Sequence, residues 1–240
     1  NIQARKGKQD AARGRAFTKI GKELLVAAKE GGPNPDSNSK LKDLISKAKS
    51  VNMPMDTINR AIKRGSGEDG DVNYEEINYE GYGPAGVAFI VNALTDNKNR
   101  TASDVRHAFE RSNGSLGASG CVAWMFERKG VIVIEKTEDT DEDELMMLAI
   151  DAGAEDFTPD GDFIEITTSA EDFSKVRQAL EDDGVGFASA EISMIPNNTV
   201  QLDEANADKI DKLVEKLEED DDIQNVWHNA EFPEGWGEEE

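Results

Sequence analysis

A concentration of cations near the amino terminus gives this sequence its clearest chemical capability, which is the neutralisation of phosphate. Arg5, Lys6 and Lys8 precede a helical pattern that carries Arg13, Arg15, Lys19, Lys22 and Lys29, and a later helical pattern adds Arg60, Lys63 and Arg64. At about 100° per residue, Arg15, Lys19, Lys22 and Lys29 stand opposite an apolar stripe of Phe17, Ile20, Leu24 and Ala28, so one face is core and the other is cationic. Arg13 lies over the stripe, but in the first turn, where it can point past the domain edge. Lysines on the back of a helix are commonly just a solvated face. Here the excess is one-signed, clustered and set against a clean apolar stripe, which favours phosphate contact and a steep fall of binding with salt. A smaller set, Lys98, Arg100, Arg106 and Arg111, brackets another helix and either extends this footprint or is plain surface.

Other chemistries find no support. His107 and His228 sit on different elements without the Cys or His neighbours of a metal site, so neither a metal nor a cofactor is expected. No serine occupies a Gly-x-Ser-x-Gly elbow, and no catalytic residue is assigned. The glycines of Tyr79–Gly86 precede a strand and lack the Lys-Ser of a phosphate loop, so they read as a tight turn. The acidic run Glu138–Glu144 lacks the central glycine of a calcium loop and reads as a solvated helix start at the positive end of the helix dipole.

The elements that must position the cations follow from periodicity. A first helix is expected from about Ala11 to Glu30, with Asp10 as N-cap and Gly31-Gly32-Pro33 as its stop. A second follows the Asp36–Ser39 cap and buries Leu41, Leu44, Ile45 and Ala48; a third starts near Pro54, buries Met55, Ile58 and Ile62, and stops at Gly65. The glycine-rich, acidic stretch Gly65–Asn73 reads as a flexible linker on which this helical domain swings. Beyond it, Val87–Leu94, Thr101–Ser112 and Cys121–Phe126 read as strand, helix and strand, and 130–196 reads as β-α-β-β-α-β, the ferredoxin-like pattern. Asp203–Glu219 and Ile223–His228 give a final helix and strand that need a partner sheet. The expected fold is therefore α+β: a basic helical domain (1–72), a discontinuous α+β domain (73–129 plus 197–240), and an acidic, ferredoxin-like α+β domain inserted in it (130–196). The tail from Phe232 is expected to be loose.

Composition is consistent with this division. The 240 residues exceed one small core, and the net charge of −23 is unevenly distributed. Residues 1–64 hold 15 Lys+Arg against 6 Asp+Glu, whereas 131–240 hold 6 against 34. Such a dipolar chain presents one end to a polyanion and holds the other away. The longest apolar run, Val87–Val91, is too short to span a bilayer, and a lone cysteine, Cys121, fits a reducing cytoplasm. A monomer without membrane partners is expected.

Several motifs agree in order and spacing with one family. Arg5-Lys6 with Gln9-Asp10, Arg13-Gly14-Arg15, Phe17-Thr18-Lys19, Asn59-Arg60-Ala61-Ile62 and Gly65 are followed by Tyr79–Pro84, Leu94–Asn97, Asn99-Arg100-Thr101, Val105–Phe109 and Asn225-Val226. Nearly the whole chain resembles the YebC/PmpR family. Members open with a short Gly-His-Ser-Lys-Trp stretch, which is expected ahead of Asn1. The resemblance implies three domains, no catalytic residues, and the role of probable DNA-binding transcriptional regulator. Relatives that include a mitochondrial translational activator imply instead a ribosome- or RNA-associated protein that relieves stalled synthesis. No recognition helix with base-reading residues is evident, whereas RNA binding needs only cationic faces and exposed aromatics such as Tyr79 and Tyr82. The expected partner is thus nucleic acid, as DNA or ribosomal RNA. An acidic adaptor for a basic protein stands as the remaining alternative.

Overall fold

The computed structural model describes residues 13–68 and 70–237. The expected N-cap Asp10 and the cations Arg5, Lys6 and Lys8 lie outside these residues. Helix α1 (Arg13–Gly31) packs against α2 (Ser39–Ser50) and α3 (Met55–Gly65). Ile20, Leu24 and Ala28 of the predicted stripe are buried with Ala27, Leu41, Ala48, Met53 and Ile58, and Phe17, Leu44, Ile45 and Ile62 pack at their edge. Asn38 joins the first two helices: its Oδ1 caps α2 by accepting from Leu41 N at 3.1 Å, and its Nδ2 donates to Ala27 O at 2.8 Å and Gly32 O at 3.0 Å. Met55, expected inside, is 48% exposed, and Met53 is buried in its place. The left-handed Asn52 (φ 59°) turns Met53 inward, and Pro54 then starts α3 with Met55 on its outer side.

The first sheet begins with a hairpin of β1 (Glu75–Tyr82) and β2 (Ala88–Thr95), joined by a tight turn at Pro84–Gly86. Helix α4 (Lys98–Arg111) starts three residues earlier than its periodicity suggested, because Asn97 Oδ1 caps Arg100 N at 3.1 Å. A two-residue edge, β3 (Ser115–Leu116), follows. The expected strand at Cys121–Phe126 does not form, and Ala123–Met125 is a short 3-10 turn. The cause is Glu80, whose buried carboxylate accepts from the amides of Gly120, Val122 and Ala123 and so occupies the donors a strand would need. Burial would push this carboxyl up, but the three backbone donors hold it below the usual carboxylate range.

The chain then enters a second sheet through β4 (Phe126–Glu135), α5 (Glu142–Ala152), β5 (Asp156–Asp160), β6 (Phe163–Ser169), α6 (Phe173–Asp182) and β7 (Ser189–Pro196). Its strands run in the order β5-β6-β4-β7 with every neighbour antiparallel, the interleaving of a ferredoxin-like β-α-β-β-α-β unit. Its core joins Ile132, Ile134, Ile164 and Ile166 to Leu145 and Ala149 of α5 and Phe173, Val176 and Leu180 of α6. After β8 (Val200–Gln201), helix α7 (Glu204–Glu218) leads into β9 (Ile223–His228), which pairs antiparallel with β2 and completes the first sheet as β3-β1-β2-β9. Val87, Phe89 and Val91 bury against Val105 and Phe109 of α4 and Ile210, Leu213 and Leu217 of α7. The architecture is α+β, with a helical layer followed by two antiparallel sheets.

Two expectations about the connections change. β10 (Ala230–Glu231) pairs with β8, and the segment after it is anchored rather than loose: Phe232 stacks on Trp236 at 4.6 Å, and Trp236 Nε1 donates to Asp208 at 3.2 Å. The 71–73 end of the glycine-rich stretch is also tied down, because Lys29 Nζ donates to Asp71 at 2.5 Å, to Asn73 at 2.6 Å and to Val72 O at 3.3 Å.

Gly65 is where α3 meets α1, and a Cβ there would sit 2.3 Å from Leu25 O and 2.9 Å from Ala28 Cβ. At an open helical position Gly→Ala adds stability; here the new methyl would meet backbone. Gly65→Ala is expected to destabilise by about 1–3 kcal/mol, which a urea titration of the full chain would read as a lower midpoint at unchanged slope.

Candidate nucleic-acid interface

The basic residues of the helical layer divide into two groups. Lys19 and Lys22 on α1 face not solvent but the acidic turn that joins α7 to β9. Lys19 Nζ donates to Glu218 O at 2.7 Å, and Lys22 Nζ donates to Asp221 O at 2.9 Å and Asp222 Oδ1 at 3.1 Å while lying 5.3 Å from the centre of the Tyr74 ring. Burial pushes the Lys19 ammonium below its usual range, against the opposing pull of Glu218, Asp221 and Asp220. Lys29 is engaged by the 71–73 segment. Three of the expected phosphate contacts are therefore taken up by the protein's own carboxylates and carbonyls.

Asp222 is the centre of this contact. It is 4% exposed, and its Oδ2 accepts from Arg100 Nε at 3.1 Å, Arg100 Nη2 at 2.8 Å and Thr101 Oγ1 at 3.0 Å, while Oδ1 takes Lys22. Burial alone would raise its pKa, but the bonds from Arg100, Lys22 and Thr101 hold the carboxyl below the usual range. Arg100 also pairs with Asp96, and Lys98 pairs with Glu75, so half of the smaller cationic set is engaged as well. Arg106 and Arg111 remain exposed on α4.

The second group faces outward. Arg15 is exposed on the first turns of α1, which Arg13 opens, and Arg60, Lys63 and Arg64 are exposed on α3. Arg60 and Lys63 line an open groove of about 730 Å³ between α2 and α3. Lys49, at the end of α2, adds a third cation that the sequence pattern did not single out. Ile45, Met55 and Ile62 give the groove an apolar floor, Asn59 an amide, and Asp56 its one lining carboxylate. The exposed Met55 is thus part of the groove wall. The groove combines side chains that attract phosphate with an apolar surface suited to a sugar or base face.

The exposed aromatics differ from those expected. Tyr79 packs against the first sheet's core, while Tyr82 is 38% exposed. Trp124, which the sequence reading passed over as part of a strand, is 71% exposed, with its Nε1 held by Cys121 O at 3.0 Å. Its exposure follows from the turn that Glu80 imposes, and periodicity carries no signal for that turn.

Comparison with known proteins bears on what such a surface serves. Residues 1–68 match the family model described as the TACO1/YebC protein N-terminal domain, and residues 74–230 match the model of the TACO1/YebC second and third domain. The chain belongs to the TACO1/YebC family. Relatives in this family include a protein of Clostridium acetobutylicum, 63% identical over 98% of this chain and 96% of its own, and one of Clostridium tetani, 61% identical over the same shares. Both are named probable transcriptional regulatory protein. The crystal structure of a conserved hypothetical protein from Aquifex aeolicus superposes with a TM-score of 0.84 at 48% identity, covering 94% of this chain and 93% of that one. The TACO1/YebC fold is thus shared at high identity along almost the whole chain.

The Asp222 contact has a definite pH signature. Because the folded-state pKa lies below the unfolded value of roughly 3.9, its stabilisation is fully present above that value and is lost only as pH falls through the folded pKa. Asp222→Asn is expected to cost about 2–3 kcal/mol at pH 7, and the gap between variant and wild type should narrow as pH falls below roughly 3.9 in paired denaturation curves.

Proposed function

We propose that this chain is a non-enzymatic, nucleic-acid-binding regulator of gene expression that grips phosphate through the groove between α2 and α3. The supporting observation is that Lys49, Arg60 and Lys63, with Arg64 beside them, are exposed and have no ion pair among the described residues in a protein of net charge −23. Unpaired cations on one face of an acidic chain give a local positive field, and the opposite sign elsewhere orients the molecule on a polyanion. The printed name of the clostridial relatives, probable transcriptional regulatory protein, agrees with a regulator of this kind.

A non-enzymatic role also suits the groups that would otherwise serve as catalysts. His228 packs between Phe89 at 5.5 Å and Phe232 at 5.9 Å, and burial together with the nearby Glu80 charge pushes the Cys121 thiol up, away from the nucleophilic thiolate. As part of the same reading we take the protein to be cytoplasmic and monomeric. Duplex DNA is one target. A second reading, in which the target is RNA, including RNA of the ribosome, is favoured by Trp124 and Tyr82, whose exposed rings can stack on unpaired bases.

Binding of labelled duplex DNA and of a hairpin RNA, followed by fluorescence anisotropy across a salt series, tests both readings. Arg60→Glu with Lys63→Glu is expected to weaken binding at least tenfold and to flatten the log-log salt slope by about 0.7–0.9 per lost contact. Unchanged affinity and slope would remove the groove from the account. Trp124→Ala should lower affinity for unpaired RNA by about 1–3 kcal/mol and leave duplex DNA unaffected; equal loss on both would count against the RNA reading.

A further inference from the structure

The exposed face of α5, in the acidic lobe, is left unexplained by nucleic-acid binding. Six large hydrophobic side chains are exposed among the described residues, and three of them, Met146 (36%), Met147 (61%) and Ile150 (53%), lie on this one helix. The helix does not need them for its own packing, since Leu145, Ala149 and Ala152 fill its buried side. Positions 146, 147 and 150 fall within about a third of a turn of one another, so they form one continuous outward stripe. Unbranched methionine side chains beside an isoleucine make a surface that adapts to an apolar partner.

Charge decides what kind of partner that is. Asp143, Glu144 and Asp151 are exposed on the same helix around the stripe. Residues 131–196 hold 19 Asp+Glu against 3 Lys+Arg, a field that repels both nucleic acid and an anionic lipid surface.

We propose that Met146, Met147 and Ile150, with the exposed carboxylates of Asp143, Glu144 and Asp151 around them, form a docking site for a basic amphipathic segment of another protein, one that places apolar residues on the stripe and lysines or arginines against those carboxylates. A chain built in this way bridges two ligands of opposite charge, a polyanion at the α2–α3 groove and a cationic protein at α5. The docking site does not depend on the nucleic-acid reading, and each can fail without the other.

The test uses the full chain and a labelled synthetic helix of alternating leucine and lysine turns, compared with a scrambled peptide of the same composition. The amphipathic peptide is expected to bind wild type at least tenfold more tightly than Met147→Gln with Ile150→Gln, and more tightly than the scrambled peptide. A second variant, Asp143→Lys with Asp151→Lys, should also lose binding while keeping its melting temperature, and both variants should retain nucleic-acid affinity. Equal binding of wild type and the Gln variant, equal binding of the scrambled peptide, or no binding of the amphipathic peptide would overturn the proposal. Concentration-dependent self-association that the Gln variant abolishes would overturn it too, by assigning the face to a second copy of this chain.

Discussion

A single buried carboxylate, Asp222, holds the helical layer to the first sheet. Its side chain gathers Lys22 from α1 and Arg100 and Thr101 from α4, and its backbone carbonyl accepts from Leu94 N of β2 at 2.8 Å. Burying a carboxylate is costly unless charge and hydrogen bonds replace the lost water, and here four side-chain donor contacts do so. Removing any one partner would leave charge in a poorly solvated place, so the elements that contribute them are bound to move together. The acidic turn at Glu218–Asp222 is thereby fixed across the cations of α1.

A second anchor works from the other side. Arg177 on α6, 1% exposed, donates to Asp43 on α2 at 2.7 Å and to Glu181 at 2.6 Å, and Ser174 donates to the same Asp43 carboxylate. Lys47 lies between Glu23 at 3.4 Å and Glu191 at 3.6 Å; burial opposes its charge, but the two carboxylates hold its pKa above the usual range. The helical layer therefore contacts both sheets through ion pairs of both polarities: its Lys22 and Lys47 meet Asp222 and Glu191, and its Asp43 meets Arg177. What remains positive is the outward side, Arg15 with the groove of Lys49, Arg60 and Lys63. The uneven distribution of charge along the chain thus serves two purposes, internal attachment and an external cationic surface.

The three short helices were legible because their apolar residues recur at helical spacing and their ends carry Asn38, Pro54 and glycine signals. The ferredoxin-like unit was legible for the same reason, since alternating strand and helix patterns are local. What escaped the sequence depends on residues far away in the chain. Whether Cys121–Phe126 becomes a strand is settled by Glu80, some forty positions earlier. Whether Lys19 and Lys22 are free is settled by a turn about two hundred positions later. Lys49 entered the candidate site only through the packing of α2 on α3, which places it beside cations of a different helix. A cationic stripe on one helix predicts charge, and tertiary contacts decide which of those charges a ligand can reach.

The central claim is that α1 uses its cations internally while the α2–α3 groove uses its own externally. Lysine reactivity towards a small acylating reagent, quantified by mass spectrometry with and without bound nucleic acid, addresses both halves at once. The account predicts that Lys19 and Lys22 react slowly in either state, and that Lys49 and Lys63 react readily in the free protein and become protected on binding. Rapid labelling of Lys19 and Lys22 in the free protein, with protection on binding and no change at Lys49 and Lys63, would contradict it.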